Sequence, residues 1–185
     1  IQNMWRTKLR NPQLDISIFW PNNFLKQTDS MSKDTHYLFS YNALVTRNRI
    51  SKWDRNIPEL CKFCLFHGIR ETENNLHAIL YCPRVSNFWL KMENLFLKFN
   101  FVLNDEIKVF GLENRSKEIE KVLLNAVIQV AQKSVWTTRN NFENNELVID
   151  TWKIFKTCLE KTFDMHKNFG NFSVFIENLI NVLNN

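Results

Sequence analysis

The stretch from residue 61 to residue 84 reads CKFCLFHGIRETENNLHAILYCPR and contains three of the four cysteines of the chain. Cys61 and Cys64 form a Cys-x2-Cys pair, and twelve residues separate it from a His-x4-Cys pair, His77 and Cys82. Zinc commonly takes four Cys and His ligands in a tetrahedron. The spacing therefore predicts a CCHC knuckle, in which one Zn²⁺ ion is bound by Cys61, Cys64, His77 and Cys82. Four protein ligands leave no open coordination position, so we expect a structural site.

Two histidines compete for the third ligand position of this knuckle. His77 lies five residues before Cys82, across the end of a short predicted helix, and Pro83 then redirects the chain. His67 follows Cys64 by only three residues. We expect His77 to be the ligand, and His67 is the alternative.

The cysteines also indicate a cellular compartment. Three clustered cysteines beside a histidine, with Cys158 far away, do not form a disulfide framework. The chain opens on Ile1-Gln2-Asn3-Met4-Trp5, which resembles neither a secretory signal nor a transit peptide. We therefore expect part of a longer intracellular protein of the cytoplasm, the nucleus or both, with no membrane-spanning segment.

Outside the knuckle, apolar residues recur at helical spacing. In four stretches they are three and four residues apart, as in helices that bury one face. None of these faces can be buried alone, so the sequence predicts an all-α fold, a helical bundle with an inserted CCHC zinc knuckle. The four stretches are residues 85–99, 119–130, 148–159 and 172–183.

Local signals divide the chain into three segments. We expect an aromatic-rich N-terminal arm over residues 1–34, and a basic helix, the knuckle and a following helix over residues 35–100. The C-terminal helical bundle, residues 101–185, is expected to pack on the knuckle region. In detail we expect a helix over 35–50 with Ser32 as its N-cap, a loop over 53–72, a short helix over 73–81, an extended piece over 107–110 and a polar break over 140–145.

The composition excludes several classes of enzyme. Three well-separated glycines cannot build a phosphate-binding loop or a G-x-S-x-G elbow. His36 and His166 are isolated, so we expect them to be surface or capping residues. Cys158 lies between Phe155 and Leu159 on an apolar stripe and is expected to be a small buried hydrophobic residue. We expect no catalytic residue in this chain.

The positive charge lies in the first 100 residues. The net charge is +5: residues 1–60 hold nine Lys/Arg and five Asp/Glu, residues 61–100 five and three, and residues 101–185 ten and eleven. Basic side chains interleaved with aromatic rings suit phosphate contacts and stacking on unpaired bases. The alternative is an ordinary solvated helix face, with the aromatic rings of the knuckle packed inward. The sequence predicts RNA or DNA binding through Arg47, Arg49, Lys52, Trp53, Arg55, Lys62, Phe63 and Arg70.

Several blocks of the sequence carry a resemblance to a known family. In order, they are NALVTRNRI at 42–50 with Trp53, Cys61-x2-Cys64, Glu73-Asn74-x2-His77, Cys82-Pro83-Arg84 and Phe88-Trp89. They resemble the H-N-A-L-P-T-R-x-R-L…W, C-x2-C, E-T-x-x-H and C-P-x…F-W blocks of the C-terminal zinc-binding domain of non-LTR (LINE-type) retrotransposon reverse transcriptases. The match covers roughly residues 36–90. Tyr41, Val45 and Asn74 replace the usual His, Pro and Thr, and none of them is a predicted ligand.

The resemblance implies a position and a role. The chain would follow a reverse transcriptase domain in the same polypeptide, whose polymerase motif, Tyr/Phe-x-Asp-Asp, is absent here. In the family this region is associated with binding template RNA and/or target DNA during target-primed reverse transcription. The resemblance therefore implies a non-catalytic nucleic-acid-binding domain whose partners are RNA and/or DNA and the upstream reverse transcriptase domain, itself an RNA-directed DNA polymerase.

A hypothesis of a different class is a protein–protein interaction or scaffold module, domesticated from a retroelement. In that case the Phe-rich surface of the C-terminal bundle would bind a partner protein. The nearly neutral charge of residues 101–185 favours this alternative.

Overall fold

The described part of the chain is helical. The computed structural model describes residues 1–19, 28–113, 118–145 and 149–164, together with Leu179 and Asn181. These residues form no strand, and Leu60 and Thr72 make one isolated antiparallel bridge. The predicted all-α fold is therefore confirmed. The helices are α1 (Gln2–Lys8), α2 (Ser30–Ser40), α3 (Arg47–Ile50), α4 (Lys62–Phe66), a π-helical turn at His77–Tyr81 (the π turn), α5 (Pro83–Leu97), α6 (Asp105–Phe110), α7 (Ile119–Asn145) and α8 (Thr151–Asp164).

The centre of the bundle is α7. Every residue from 123 to 132 is buried, so this part of the helix is enclosed on all sides rather than along one stripe. Helices α2 and α8, the π turn and α4 all pack against it. Most of the apolar stripe predicted over 119–130 is thus in the core, whereas Ile119 is exposed and Val122 is half-buried.

The N-terminal arm belongs to the same core. Trp5 on α1 is fully buried, and its Nε1 donates a hydrogen bond of 2.6 Å to the carbonyl oxygen of Ser40. Its ring meets Phe39 and Phe110 edge-on, at centroid distances of 6.0 and 5.3 Å. One hydrophobic cluster therefore includes residues from all three predicted segments.

The helix predicted over 35–50 is wrong in its boundaries. Helix α2 begins earlier because Asp29, not Ser32, is its N-cap: Asp29 Oδ1 accepts a 3.0 Å hydrogen bond from the Ser32 backbone N–H. It ends at Ser40, two residues before Asn42 adopts the left-handed conformation with φ of 54°. The chain then makes a turn, and α3 begins at Arg47.

Two other local predictions are also wrong. Residues 107–110 are the end of α6 rather than an extended piece, because Asn104 caps this helix by accepting a 2.9 Å hydrogen bond from Ile107 N–H. Gly111, with φ of 83°, then ends α6. The loop predicted over 53–72 contains the short helix α4.

The predicted polar break over 140–145 is the last part of α7. Helix formation continues there because Phe142 is buried and its ring meets Phe63 of the knuckle edge-on, at a centroid distance of 5.3 Å. The polar residues around it also have partners: Glu143 accepts a 2.9 Å hydrogen bond from Arg47. A polar sequence is thus helical because one of its faces contacts the knuckle.

His36 is a buried residue and not the predicted surface or capping residue. Its Nδ1 lies 2.9 Å from Gln132 Oε1, and Gln132 Nε2 donates to the carbonyl oxygens of Lys108 and Val109. Gln132 therefore presents its oxygen to His36, so Nδ1 carries the proton. Burial lowers the pKa of His36 to about 4. This network links α2, α6 and α7 through a neutral imidazole.

Some predictions fall on other parts of the chain. The predicted helix over 172–183 lies outside the described residues, apart from Leu179, which is buried, and Asn181. His166 is also outside them. Cys158, on α8, is half-buried rather than buried as predicted, although it packs against the core. Among the helices that the structure describes, none is long and apolar enough to span a membrane.

Candidate metal centre

The structure brings together the four predicted ligands Cys61, Cys64, His77 and Cys82. Their ligand atoms all lie within 4.8 Å of one another, and all four residues are buried. The Cys82 sulfur lies 3.9 Å from the sulfurs of both Cys61 and Cys64, and the Cys64 sulfur lies 3.4 Å from His77 Nε2. This buried Cys3His cluster is a candidate metal site.

A short helix and a turn position the first two ligands. Cys61 is the N-cap residue of α4, and Cys64 lies in that helix. After α4, Gly68 adopts φ of 75°, which lets Ile69 N–H donate a 2.8 Å hydrogen bond back to the Cys64 carbonyl. The returning chain then pairs with the extended segment before α4, where Cys61 N–H donates to the Glu71 carbonyl at 2.8 Å.

The π turn positions the other two ligands. Asn74 Oδ1 accepts a 2.9 Å hydrogen bond from His77 N–H at its start. At its end Cys82 N–H donates to the His77 carbonyl at 2.8 Å, the five-residue hydrogen bond of a π-helix. Pro83 then opens α5 with its fixed backbone angle. His77 and Cys82 are therefore the two ends of one wide helical turn.

The acid–base properties of the thiols fit a site for a cation. The hydrogen bond with Cys82, followed by burial, raises the pKa of Cys61 to about 12, and burial raises the pKa of Cys64 to about 11. The pKa of Cys82 is lowered, first by the hydrogen bond with Cys61 and further by the Arg84 guanidinium. Without a cation Cys61 and Cys64 are thus thiols, so the cluster does not hold three adjacent thiolates. A bound metal would change that, because metal ligation deprotonates thiols.

His67 lies away from the cluster. It follows α4 as its C-cap residue, is exposed, and its ring contacts Phe63 and Phe66 at centroid distances of 4.5 and 5.3 Å. Of the two histidines considered for the third ligand position, His77 is the one within the cluster.

A buried ion pair that the sequence did not predict joins the knuckle to α7. Arg139 pairs with the carboxylate of Glu73, and both residues are buried. Glu73 Oε1 also accepts a 2.9 Å hydrogen bond from the backbone N–H of Arg47. Since Glu73 and Arg139 are 66 residues apart, no local spacing could have predicted the pair.

Three of the predicted nucleic-acid-binding residues are engaged within the protein. Arg47 donates hydrogen bonds to Glu143 Oε1 at 2.9 Å and to the Pro58 carbonyl at 3.2 Å. Lys62 Nζ donates to the Glu143 carbonyl at 2.9 Å, and Phe63 packs on Phe142. These side chains hold the knuckle against the end of α7.

The other predicted residues lie at the surface. Arg55 and Arg70 are exposed, and Trp53 is 68% exposed. Arg49, Lys52 and Trp53 line an open groove of about 470 Å³, which we call the Trp53 groove. The Arg49 guanidinium lies over the Trp53 ring, 5.7 Å from its centroid. The groove is thus basic and has a large aromatic surface.

Other residues of the Trp53 groove were not predicted from the sequence. Lys8 reaches it from α1, and Asn42, Asn48, Asn74 and Asn75 also line it. Lys8 Nζ donates a 2.9 Å hydrogen bond to Asn42 Oδ1, 34 residues away. The amides of Asn74 and Asn75 lie directly before the π turn, so the groove adjoins the candidate metal site. The asparagines near Arg49 and Trp53 in the sequence could have indicated a polar groove there. Nothing in the sequence indicated that Lys8 would line it.

Comparison of the chain with models of known protein families, with curated proteins and with solved structures finds no match.

Proposed function

We propose that this chain is a non-catalytic nucleic-acid-binding domain in which one structural Zn²⁺ ion supports a basic, aromatic groove. The observation that carries the proposal is the Trp53 groove, which Lys8, Arg49 and Lys52 line together with an indole that is 68% exposed. Basic side chains bind phosphates, and an exposed aromatic ring stacks on unpaired bases. Arg55 and Arg70 are two further exposed basic side chains.

Zinc is the metal that we propose for the Cys3His cluster. Zn–S bonds of about 2.3 Å and Zn–N bonds of about 2.0–2.1 Å in a tetrahedron place sulfurs about 3.8 Å apart, and sulfur and nitrogen about 3.5 Å apart. Three of the six separations among the four ligand atoms, 3.9, 3.9 and 3.4 Å, agree with these values. With four protein ligands the ion has no open position for a substrate, so its role is to stabilise the knuckle. Such thiolate ligands persist in a reducing, intracellular compartment.

Charge reversal tests nucleic-acid binding. We expect the Arg49→Glu/Lys52→Glu variant to bind a fluorescein-labelled 20-nucleotide single-stranded RNA about tenfold or more weakly in about 100 mM salt, measured by fluorescence anisotropy. Its plot of log affinity against log salt should be less steep, by about 0.7 for each phosphate that the variant no longer binds.

The matched control is Lys153→Glu/Lys161→Glu, which makes the same change of net charge at two exposed positions of α8. We expect it to bind almost as the wild type does. Equal losses in both double variants would mean that only the net charge matters and would contradict the groove. No binding by the wild type would contradict the proposed function itself.

The resemblance of residues 36–90 supports a more specific proposal about context. We propose that this domain follows the polymerase in a LINE-type reverse transcriptase and binds the RNA template and/or the target DNA. A reverse transcriptase domain encoded directly upstream of Ile1 would support this proposal, and an unrelated upstream domain would overturn it.

The protein-interaction hypothesis has less support from the described residues. It assumed a Phe-rich surface on the C-terminal bundle, whereas, of the phenylalanines there whose side chains the structure describes, Phe110, Phe142 and Phe155 are buried and Phe101 is half-buried. We therefore propose nucleic acid, rather than a protein, as the partner of the surface near the knuckle.

A further inference from the structure

Asn75, which lines the Trp53 groove, has an unusual environment. It is 4% exposed, yet its side-chain Nδ2 has no hydrogen-bond partner. No other buried side-chain nitrogen or oxygen in the described ranges lacks one. Buried polar groups are normally paired, because an unpaired donor loses its hydrogen bonds to water without replacement.

The neighbouring asparagines do not share this property. Asn74 Oδ1 accepts from His77 N–H and so caps the π turn, and Asn42 Oδ1 accepts from Lys8. Asn75 sits between the capped turn and the open groove without a comparable role. Asn75 lines the open groove, and its enclosed, unpaired Nδ2 is a donor that a ligand in the groove would satisfy once the side-chain amide turns toward it.

The surrounding groups indicate what this ligand would be. Trp53 offers an indole face, and Arg49 and Lys52 offer positive charge next to it. The groove volume of about 470 Å³ lies within the ~300–1,000 Å³ usual for small-molecule sites. A planar ring attached to a phosphate matches the indole face, the positive charge and the volume of the groove. Every nucleobase also carries a ring nitrogen or carbonyl oxygen that accepts a hydrogen bond, as the Asn75 donor requires.

We infer that the Trp53 groove takes one unpaired nucleotide, whose base stacks on Trp53 and accepts a hydrogen bond from Asn75 Nδ2. This inference rests on the proposed function and adds to it that the ligand is a single strand with a splayed-out base. In a duplex the base faces are stacked on neighbouring bases, so a duplex cannot present this surface without opening.

The test compares strands with and without bases. The probes are labelled rU12, dT12 and a 12-unit abasic phosphate strand, and affinity is measured by fluorescence anisotropy at one salt concentration. We expect wild-type protein to bind a base-containing strand more tightly than the abasic strand. Comparison of rU12 with dT12 distinguishes an RNA ligand from a DNA ligand.

Asn75→Ala then removes the donor. We expect its affinity for the base-containing strand to fall about tenfold, with affinity for the abasic strand unchanged. The thermal unfolding midpoint should not fall, because the Nδ2 group has no hydrogen bond in the free protein to lose. Asn87→Ala, at an exposed position of α5, is the matched control and should bind as the wild type does.

Each outcome decides between the two proposals. Equal binding of a base-containing strand by the wild type and Asn75→Ala would overturn the role of Asn75 and leave the proposed function standing. No binding of any strand by the wild type would overturn both. If Asn75→Ala does not fold, the isosteric Asn75→Asp variant replaces the donor by an acceptor, and unchanged binding by it would overturn the inference. Equal affinity of the wild type for dT12, rU12 and the abasic strand would overturn it without any variant.

Discussion

Two imidazoles in this chain have different roles. His77 presents Nε2 to three sulfurs in the candidate metal site. His36 is kept neutral by its burial, and its ring is oriented by the hydrogen bond with Gln132. Sequence alone could predict the first, since Cys and His at these spacings indicate a metal site. It could not predict the second, because Gln132 lies 96 residues away.

The pKa of His36 makes folding stability depend on pH. The folded-state pKa of about 4 lies below the ordinary value of 6.5, so the unfolded state binds the proton more readily between these values. The contribution is fully present above pH 6.5, falls with pH, and has been lost at about pH 4. At about 1.4 kcal/mol for each pH unit, the loss approaches ~3 kcal/mol.

The measurement is urea unfolding of the wild type and His36→Asn between pH 4 and 7. Asn places an amide nitrogen near the position of Nδ1, so it retains a donor toward Gln132 but does not titrate in this range. We expect the stability difference between the two proteins to change by ~3 kcal/mol across the range. Acid also releases metal from thiolates in both proteins, and taking the difference removes that contribution. Parallel profiles would contradict the role of His36.

At the scale of whole elements, the sequence predicted the helices that bury apolar faces. It did not predict the helix boundaries that depend on backbone conformation or on partners far away in the sequence. The stripe beginning at Val85 is α5, because its spacing alone specifies the buried face. The break after α2 depends on the left-handed backbone of Asn42, which leaves no trace in the hydrophobic pattern. The end of α7 has the composition of a loop and was predicted as one. It is helical because Arg139 and Glu143 find partners, Glu73 and Arg47, that only the folded protein brings to them.

The Glu73–Arg139 ion pair connects two such elements, and removing one partner should be costly. Arg139→Met leaves the buried Glu73 carboxylate with the backbone N–H of Arg47 and the charge of nearby Arg84, so we expect a loss of about 3 kcal/mol in unfolding free energy. The control is Glu118→Gln, which breaks an exposed ion pair with Lys121 and should cost less than about 1 kcal/mol. Both values come from urea unfolding. A similar small cost for the two variants would show that the buried pair does not hold the knuckle.

At the scale of the molecule, the helical core and the knuckle are stabilised by different kinds of interaction. The core around α7 consists of packed apolar side chains from α1 to α8. The knuckle shares in that core through Ile79 and Leu80 of the π turn, but the part around α4 has few apolar contacts: Leu65, Phe66 and Ile69 are exposed. Its order depends on the metal site and on contacts with α7, so loss of the metal should affect one part of the molecule.

We therefore expect removal of the proposed zinc ion by a chelator, or His77→Ala, to loosen the knuckle and preserve the bundle. Hydrogen exchange should speed up in peptides from residues 58–83, because buried thiols without a cation no longer fix α4 and the π turn, and it should change little over residues 123–135. His67→Ala is the control and should retain one zinc ion for each chain by elemental analysis. Loss of protection throughout the chain, or zinc loss in His67→Ala, would contradict this division.

The π turn has a consequence for how this sequence can vary in length. The backbone N–H of Cys82 donates a 2.8 Å hydrogen bond to the carbonyl of His77, five residues earlier, so the spacing of the two ligands is fixed by helix geometry. Deleting one residue between them would restore an ordinary α-helical turn and rotate one ligand by about 100° around the helix axis. The twelve residues between Cys64 and His77 include a turn and a loop, which tolerate insertions. In descendants of this sequence, insertions and deletions are therefore expected to accumulate before His77 and to be eliminated between His77 and Cys82.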